Sequence, residues 1–144
     1  MTSEIKTFTA RTRVRYAETD ASGIVYYNSY LVYFEVGRVE MFRELGLLYS
    51  WQLPIAETYC RYHASARFDD LLEVRSHVAE LRSKGFRIGH EVYRLSDDTD
   101  NTEAAVLLAE GFTAMVTVGE DRRPIPLPPA FRTAFAERGQ DPGS

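Results

Sequence analysis

The sequence contains a single cysteine, Cys60, and no hydrophobic run long enough to cross a lipid bilayer. One cysteine excludes an intramolecular disulfide and a cysteine-rich metal site, which is typical of proteins in a reducing compartment. The polar start at residues 1–4 lacks the basic and then apolar plan of a signal peptide. We therefore expect a cytoplasmic protein that binds no membrane and, because no ligand spacing is present, no metal.

A strong charge of one sign is also missing, since 17 Lys and Arg residues stand against 21 Asp and Glu residues. The formal net charge of −4 gives no support for nucleic-acid binding. At 144 residues the chain has the size of one domain and is long enough to bury a core. The sequence predicts a single domain over residues 1–144, with a C-terminal tail after about residue 138.

Hydrophobic periodicity predicts one long helix and five strands. Residues 7–16 alternate as a half-buried strand does, and apolar residues recur at helical spacing from Tyr30 towards Gly46, which is expected to end the helix. Asn28 or Ser29 suits the N-cap. Four later runs alternate like strands, at Ile55–His63, Leu72–Arg82, Phe86–Leu95 and Ala104–Val118.

The order of these elements indicates the fold class. The prolines at 124, 126, 128 and 129 exclude further central strand, and Pro129 is expected to open a short C-terminal helix. An antiparallel sheet must then cover a helix that is apolar on most of its circumference. Gly37 lies on the buried stripe of that helix and predicts a close approach by the sheet. The predicted fold class is α+β.

The most informative segment is residues 16–30, where a strand-like run ends in a carboxylate, turns at a glycine and leads into the helix. This arrangement predicts that Asp20 lies beside backbone N–H groups at the helix N-terminus, where negative charge developing on a substrate oxygen is stabilised. Gly23 allows the turn and a close approach of substrate to the main chain. Because Asp in such a turn also caps backbone N–H groups, a structural role for Asp20 stays open.

Two segments carry a specific motif. The first comprises Asp20, Gly23, Ile24, Val25, Tyr26, Tyr27 and Tyr30, followed by Tyr33, Phe34, Glu35 and Arg38. The second runs from Ala66 to Leu72 and from Leu81 to Phe86. Together they resemble the 4-hydroxybenzoyl-CoA thioesterase-like branch of the hotdog-fold acyl-CoA thioesterases. The resemblance covers a core of about residues 7–128 and implies one hotdog domain, a five-stranded antiparallel sheet wrapped around a long central helix.

The resemblance implies hydrolysis of an acyl-CoA thioester, with Asp20 as nucleophile or as general base for water. The backbone N–H of Tyr27 is expected to polarise the thioester carbonyl, and Gly23 belongs to the same catalytic turn. Short-chain thioesterases of this fold carry His where this chain has Tyr27, so the tyrosine favours the aromatic-acyl branch. A small or aromatic acyl group is expected, and coenzyme A enters as part of the substrate, so no separate cofactor is expected.

A basic hairpin is the expected coenzyme A site. In the resembling thioesterases the turn that corresponds to Arg82, Ser83, Lys84 and Arg87 binds the phosphates of coenzyme A, and cationic donors with a hydroxyl suit that chemistry. Without the resemblance, a basic hairpin of this kind is more often an ordinary solvated turn.

The resemblance also places residues near the acyl group. Trp51 corresponds to a pocket tryptophan, although a core or interface position fits it equally. Thr58, Tyr59 and Cys60 on the second strand are expected beside the catalytic turn of a neighbouring subunit. The implied assembly is a homodimer or homotetramer in which the sheets join, which would also cover unpaired strand edges.

Three further interpretations concern the role of Glu18 and two alternative functions. Glu18, two residues before Asp20, shares a face with Asp20 as a second site carboxylate only if the extended geometry persists, and we expect it to be solvated instead. A hotdog hydratase or dehydratase is disfavoured, because those enzymes carry His five residues after the Asp and this chain has Val25 there. A non-catalytic acyl-CoA-binding module is the other alternative, since fold does not fix function.

Overall fold

The computed structural model describes residues 6–48, 52–96 and 104–137, without the side chain of Glu137. Trp51 lies outside the described residues. The elements in chain order are β1 (Phe8–Arg13), a 3-10 turn (Tyr16–Glu18), α1 (Ser29–Leu45), β2 (Ile55–Tyr62), β3 (Leu71–Arg82), β4 (Gly85–Arg94), β5 (Val106–Val116) and α2 (Pro129–Glu137). Neither α-helix within these ranges has the length and apolar composition that a membrane span requires.

The five strands form one antiparallel sheet in the order β1-β3-β4-β5-β2. Helix α1 packs across β1, β3, β4 and β5. The close approach expected at Gly37 is present, because a Cβ atom there would lie 2.6 Å from Cγ1 of Val74 on β3. The predicted α+β class and the hotdog architecture are confirmed.

The first strand ends earlier than its alternating pattern predicts. β1 stops at Arg13, because the Val14 N–H donates to the carbonyl of Asp70 and the chain then enters the 3-10 turn. At the other end of α1, Gly46 has φ +74° and ends the helix in a left-handed conformation, as expected. The N-cap position is Asn28, whose side chain makes no capping hydrogen bond.

Two apolar clusters fill the space between α1 and the sheet. One lies near the β3–β4 hairpin and is built on Phe42, Phe86, Phe131 and Phe135. The other lies near the start of α1 and includes Tyr30, Tyr33, Phe34, Leu72, Val74 and Val92. The second cluster contains the phenols of Tyr30 and Tyr33, whose hydrogen-bond partners are the Ala66 N–H and the Glu18 carboxylate.

Candidate active site

Asp20 opens a tight turn that closes on itself before α1 begins. Thr19 and Val25 form an isolated antiparallel bridge, and the Asp20 N–H donates to the carbonyl of Ile24 over 2.8 Å. Gly23 has φ +80°, a left-handed conformation that favours glycine, so the turn expected at this residue is present.

The hydrogen-bond donor to the Asp20 carboxylate comes from the turn itself. Oδ1 accepts from the N–H of Ser22 over 2.8 Å, which is an Asx turn. α1 begins only at Ser29, so this carboxylate does not cap the helix. Asp20 is exposed, and of its two carboxylate oxygens only Oδ1 has a hydrogen bond among the described residues.

The carboxylate faces a cavity of about 430 Å³ beside the start of α1. Four of its ten lining residues are tyrosines. The lining side chains include those of Asp20, Tyr26, Tyr27, Tyr30, Tyr62 and His63. The segment after β2 and the segment before α1 therefore face each other across this cavity.

Tyr27 contributes its main chain to the same wall. Its carbonyl accepts from the Tyr62 phenol over 3.0 Å, and burial is the main cause that raises the pKa of Tyr62 to about 12, so that the phenol stays protonated as the donor. The N–H of Tyr27 has no acceptor among residues 6–48, 52–96 and 104–137. It is therefore open to a ligand oxygen.

Glu18 is buried, so the expectation that it is solvated is wrong. Its side chain is 9% exposed and accepts hydrogen bonds from the Tyr33 phenol, the Arg15 N–H and Arg15 Nε, each over 2.9 Å. Burial alone raises the pKa of this carboxyl, but the bonds from Arg15 and Tyr33 outweigh burial and hold the pKa below its usual value. Glu18 is thus a buried carboxylate with three donors.

Sequence reasoning also missed His63, which lines the cavity and pairs with Glu110, a residue that does not line it. His63 Nε2 lies 2.7 Å from a carboxylate oxygen of Glu110, and both side chains are partly exposed. The two residues are 47 positions apart. Because the pair forms only when β2 and β5 align, no local pattern could have revealed it.

The hairpin residues occupy the opposite end of the sheet. Arg82 Nη2 lies 3.2 Å from Glu80, while Arg87 lies 3.5 Å from Glu57 and 3.9 Å from Glu80. The Arg87 guanidinium also sits 4.0 Å above the Phe112 ring centre. Both arginines therefore already have carboxylate partners.

Ser83 and Lys84 form the tip of this hairpin. Their carbonyls accept from the N–H groups of Leu127 and Thr117, over 2.8 and 3.0 Å. The tip borders a second cavity of about 300 Å³, which Ala56 of β2 also lines. The Lys84 ammonium has no carboxylate within ion-pair distance among the described residues.

The three residues proposed on β2 lie on an edge strand. The Tyr59 ring stacks on Phe112 with centres 5.7 Å apart, and Thr58 Oγ1 donates to the Phe112 carbonyl over 3.3 Å. Cys60 lies on the face of β2 opposite to Tyr59 and is half-buried, and burial raises the pKa of its thiol. Within one chain, these residues are not part of the wall around Asp20.

Comparison with known proteins identifies relatives that span most of this chain. YneP of Bacillus subtilis is 62% identical over 86 residues, which are 56% of this chain and 62% of that protein. The acyl-CoA thioesterase YbgC of Haemophilus influenzae is 33% identical over 138 residues, which are 89% of this chain and 93% of that protein.

A solved structure shows the same architecture. The 1,4-dihydroxy-2-naphthoyl-CoA thioesterase Slr0204 from Synechocystis superposes with a TM-score of 0.80 at 25% identity, covering 91% of this chain and 96% of that one. The sequence profile of the thioesterase-like superfamily matches residues 14–135, which include both the Asp20 turn and the basic hairpin. The chain therefore belongs to the thioesterase-like superfamily, and the family resemblance of its sequence is confirmed.

Proposed function

We propose that this chain hydrolyses acyl-CoA thioesters to a carboxylic acid and free coenzyme A. The observation that carries the proposal is one cavity lined both by Asp20, whose carboxylate is exposed, and by Tyr27, whose N–H has no acceptor among the described residues. The relatives support it, since YbgC of Haemophilus influenzae is an acyl-CoA thioesterase and Slr0204 a thioesterase for an aromatic acyl-CoA.

Asp20 supplies the chemistry in one of two ways. As a nucleophile it attacks the thioester carbonyl carbon, the coenzyme A thiolate leaves, and water then hydrolyses the resulting mixed anhydride. As a general base it takes a proton from the attacking water and later returns that proton to the thiolate. Both routes use the carboxylate oxygen that the Ser22 N–H does not hold.

The Tyr27 N–H receives the charge that develops on the carbonyl oxygen in either route. Preorganised amide donors of this kind stabilise the tetrahedral transition state without reorganising during the reaction. The Tyr27 carbonyl is held by Tyr62, which fixes the next peptide, between Tyr27 and Asn28, on the helix side of this N–H.

Aromatic walls favour a compact or planar acyl group. The rings of Tyr26 and Tyr27 lie 4.6 Å apart, and those of Tyr30 and Tyr62 meet edge to face at 5.4 Å. Flat aromatic surfaces stack with aromatic acyl groups and also exclude water from short aliphatic ones. We therefore propose a small acyl or aromatic acyl thioester as the substrate.

A second copy of the chain is proposed to pair along β2. This strand is an edge of the sheet, and it carries exposed side chains at Ile55, Tyr59 and Tyr62. An unpaired apolar edge is suited to antiparallel pairing about a two-fold axis. Thr58, Tyr59 and Cys60 would then lie at the centre of the dimer or of each dimer in a tetramer.

Such pairing would also bring the proposed coenzyme A site of one copy close to Asp20 of the other. β3 has 12 residues, so the hairpin lies roughly 35 Å along the sheet from the Asp20 end of the same chain. Antiparallel β2 strands place Tyr62 of one copy near the start of β2 in the other, where Ala56 borders the hairpin cavity. We propose that the partner's hairpin holds the nucleotide phosphates, and that the assembly is cytoplasmic and needs no separate cofactor.

Thiol release tests the activity directly. We expect the wild type to hydrolyse at least one of acetyl-, butyryl-, benzoyl- and 4-hydroxybenzoyl-coenzyme A, and Asp20→Asn to lower kcat by at least about a hundredfold while the protein stays folded. Tyr27→Phe is the matched control: it keeps the backbone N–H, so kcat should change less than about threefold.

Two results would contradict the proposal. Near-normal turnover by Asp20→Asn would remove this carboxylate from the mechanism, and no thiol release from any of the four esters would favour a non-catalytic binding module. Light scattering tests the assembly separately, because an active monomer would contradict pairing along β2.

A further inference from the structure

We propose that Glu18 is a positioning residue for this hydrolysis, whose buried carboxylate fixes the Asp20 turn against the start of α1. The inference rests on the proposed function, since it assigns to Glu18 the spacing between the Asp20 carboxylate and the Tyr27 N–H. Glu18 does not line the cavity, so it acts without touching the substrate.

The Glu18 side chain joins the incoming segment to the helix. One oxygen accepts from both the Tyr33 phenol and the Arg15 N–H, and the other accepts from Arg15 Nε. Tyr33 belongs to α1 and is fully buried. Burial, followed by the bond to Glu18, raises the pKa of the Tyr33 phenol, so Tyr33 remains the donor and Glu18 the charged acceptor.

The Glu18 main chain also binds the segment between the Asp20 turn and α1. Its carbonyl accepts from the Tyr26 N–H over 2.9 Å and from Ser29 Oγ over 3.2 Å. Asp20 follows Glu18 by two residues, and Tyr27 follows Tyr26 directly. The Asp20 carboxylate and the Tyr27 N–H are therefore both close in sequence to main-chain groups that Glu18 anchors.

The charge of this side chain matters as much as its shape. A carboxylate oxygen can accept two hydrogen bonds, whereas an amide nitrogen at the same place accepts none. Glu18→Gln therefore leaves Arg15 without its carboxylate partner and loses the bond from Arg15 Nε, so the segment that carries Asp20 is held less firmly against Tyr33 of α1. A displacement of about 1 Å at a reacting group can lower the rate by about a hundredfold.

Glu18→Gln is the primary test, assayed by thiol release on the best of the four esters. We expect kcat to fall by about tenfold to a hundredfold while KM changes less than about threefold, because substrate contacts are unaltered. Tyr33→Phe removes a single bond to the carboxylate and should lower kcat by about threefold to tenfold. This milder variant covers the case in which Glu18→Gln does not fold.

Glu73→Gln is the matched control. The Glu73 side chain is 6% exposed and lies 3.2 Å from Arg11 Nε and 2.7 Å from Arg75 Nε, so it is a buried, arginine-paired carboxylate like Glu18. It makes no contact with the Asp20 turn in the described hydrogen bonds and ion pairs. We expect a similar loss of thermal stability with kcat within about twofold of the wild type.

A double variant separates positioning from general loss of structure. If Glu18 acts through Asp20, adding Glu18→Gln to Asp20→Asn should lower the residual turnover by less than about twofold. A further tenfold loss in that background would overturn the inference.

Equal losses of kcat in Glu18→Gln and Glu73→Gln would overturn it as well. So would normal turnover in Glu18→Gln or Tyr33→Phe while Asp20→Asn is inactive, a result that leaves the proposed function intact. If Asp20→Asn is itself active, the proposed function fails, and the positioning role fails with it.

Discussion

The two ends of the sheet bury their aromatic side chains in different chemical surroundings. Near the hairpin, Phe86 lies 5.7 Å from Phe131 and 5.3 Å from Phe135 between ring centres, and the cluster is apolar throughout. Near Asp20, the buried rings include Tyr30 and Tyr33 beside Phe34, and the two phenols bond the Ala66 N–H and the Glu18 carboxylate.

This difference separates stability from chemistry. Apolar packing at the hairpin end stabilises the fold and does not depend on hydrogen-bond geometry. Each phenol at the other end fixes one main-chain or carboxylate group near the reacting atoms. We therefore expect substitutions at the hairpin end to alter the free energy of unfolding or substrate binding, and substitutions at the Asp20 end to alter turnover.

The largest stability effect is expected from Phe131→Ala. Phe131 is fully buried against Phe42, Phe86 and Phe135, so truncating it removes buried apolar side-chain atoms and leaves a cavity. We expect the free energy of unfolding to fall by about 3–5 kcal/mol in urea titrations. At a temperature where the variant is folded, kcat should remain within about twofold of the wild type.

A large loss of kcat in folded Phe131→Ala would show that the two ends are mechanically coupled. The comparison would then have to be abandoned, since packing at the hairpin would set the geometry around Asp20.

The second prediction concerns His90, which lies on β4 between the two clusters. Its ring stacks on Phe34 and lies 2.9 Å from Ser76 Oγ and 3.3 Å from Thr113 Oγ1. Burial, followed by the charges of Arg38 and His77, lowers the pKa of His90 to about 3. The folded chain therefore keeps this ring neutral at any mildly acidic pH.

The sign of the pH effect follows from proton binding. Between pH 6.5 and about 3 the unfolded chain binds a proton at His90 and the folded chain does not, so stability falls as the pH falls through this window. The slope from this group is on the order of 1.4 kcal/mol per pH unit. We expect melting temperatures measured from pH 7 to 4.5 to fall less steeply in His90→Gln than in the wild type. Parallel curves would show that His90 is not the group that titrates.

The sequence predicted the elements better than it predicted the site. Periodicity depends on which face of each element is buried, so the strands and α1 could be placed within a few residues. Asp20 and Gly23 stood out because one short turn carries them both, although their catalytic role remains a prediction. The burial of Glu18 could not be recognised, because its donor Tyr33 is 15 residues away and the burial depends on the docking of α1.

The smallest effect is expected at the hairpin tip, where Lys84 is proposed to bind a nucleotide phosphate far from the scissile bond. Contacts that are equal in the ground state and the transition state alter KM more than kcat. Lys84→Ala should therefore raise KM for the coenzyme A ester by about threefold to fivefold, the effect of about 1 kcal/mol that an exposed ionic contact contributes. Arg82→Ala should have a weaker effect, because Glu80 already pairs with that guanidinium.

Arg43→Ala is the control for this prediction, since Arg43 is an exposed cation near β1, at the edge of the sheet opposite β2. It should leave KM unchanged, and added salt should raise the wild-type KM more than that of Lys84→Ala, because ions screen exposed charges. A pantetheine thioester of the same acyl group lacks the nucleotide, so Lys84→Ala and the wild type should hydrolyse it with the same KM. If Lys84→Ala raises KM by the same factor for the full and the truncated ester, the hairpin is a solvated turn, and the hairpin end of the sheet serves stability alone.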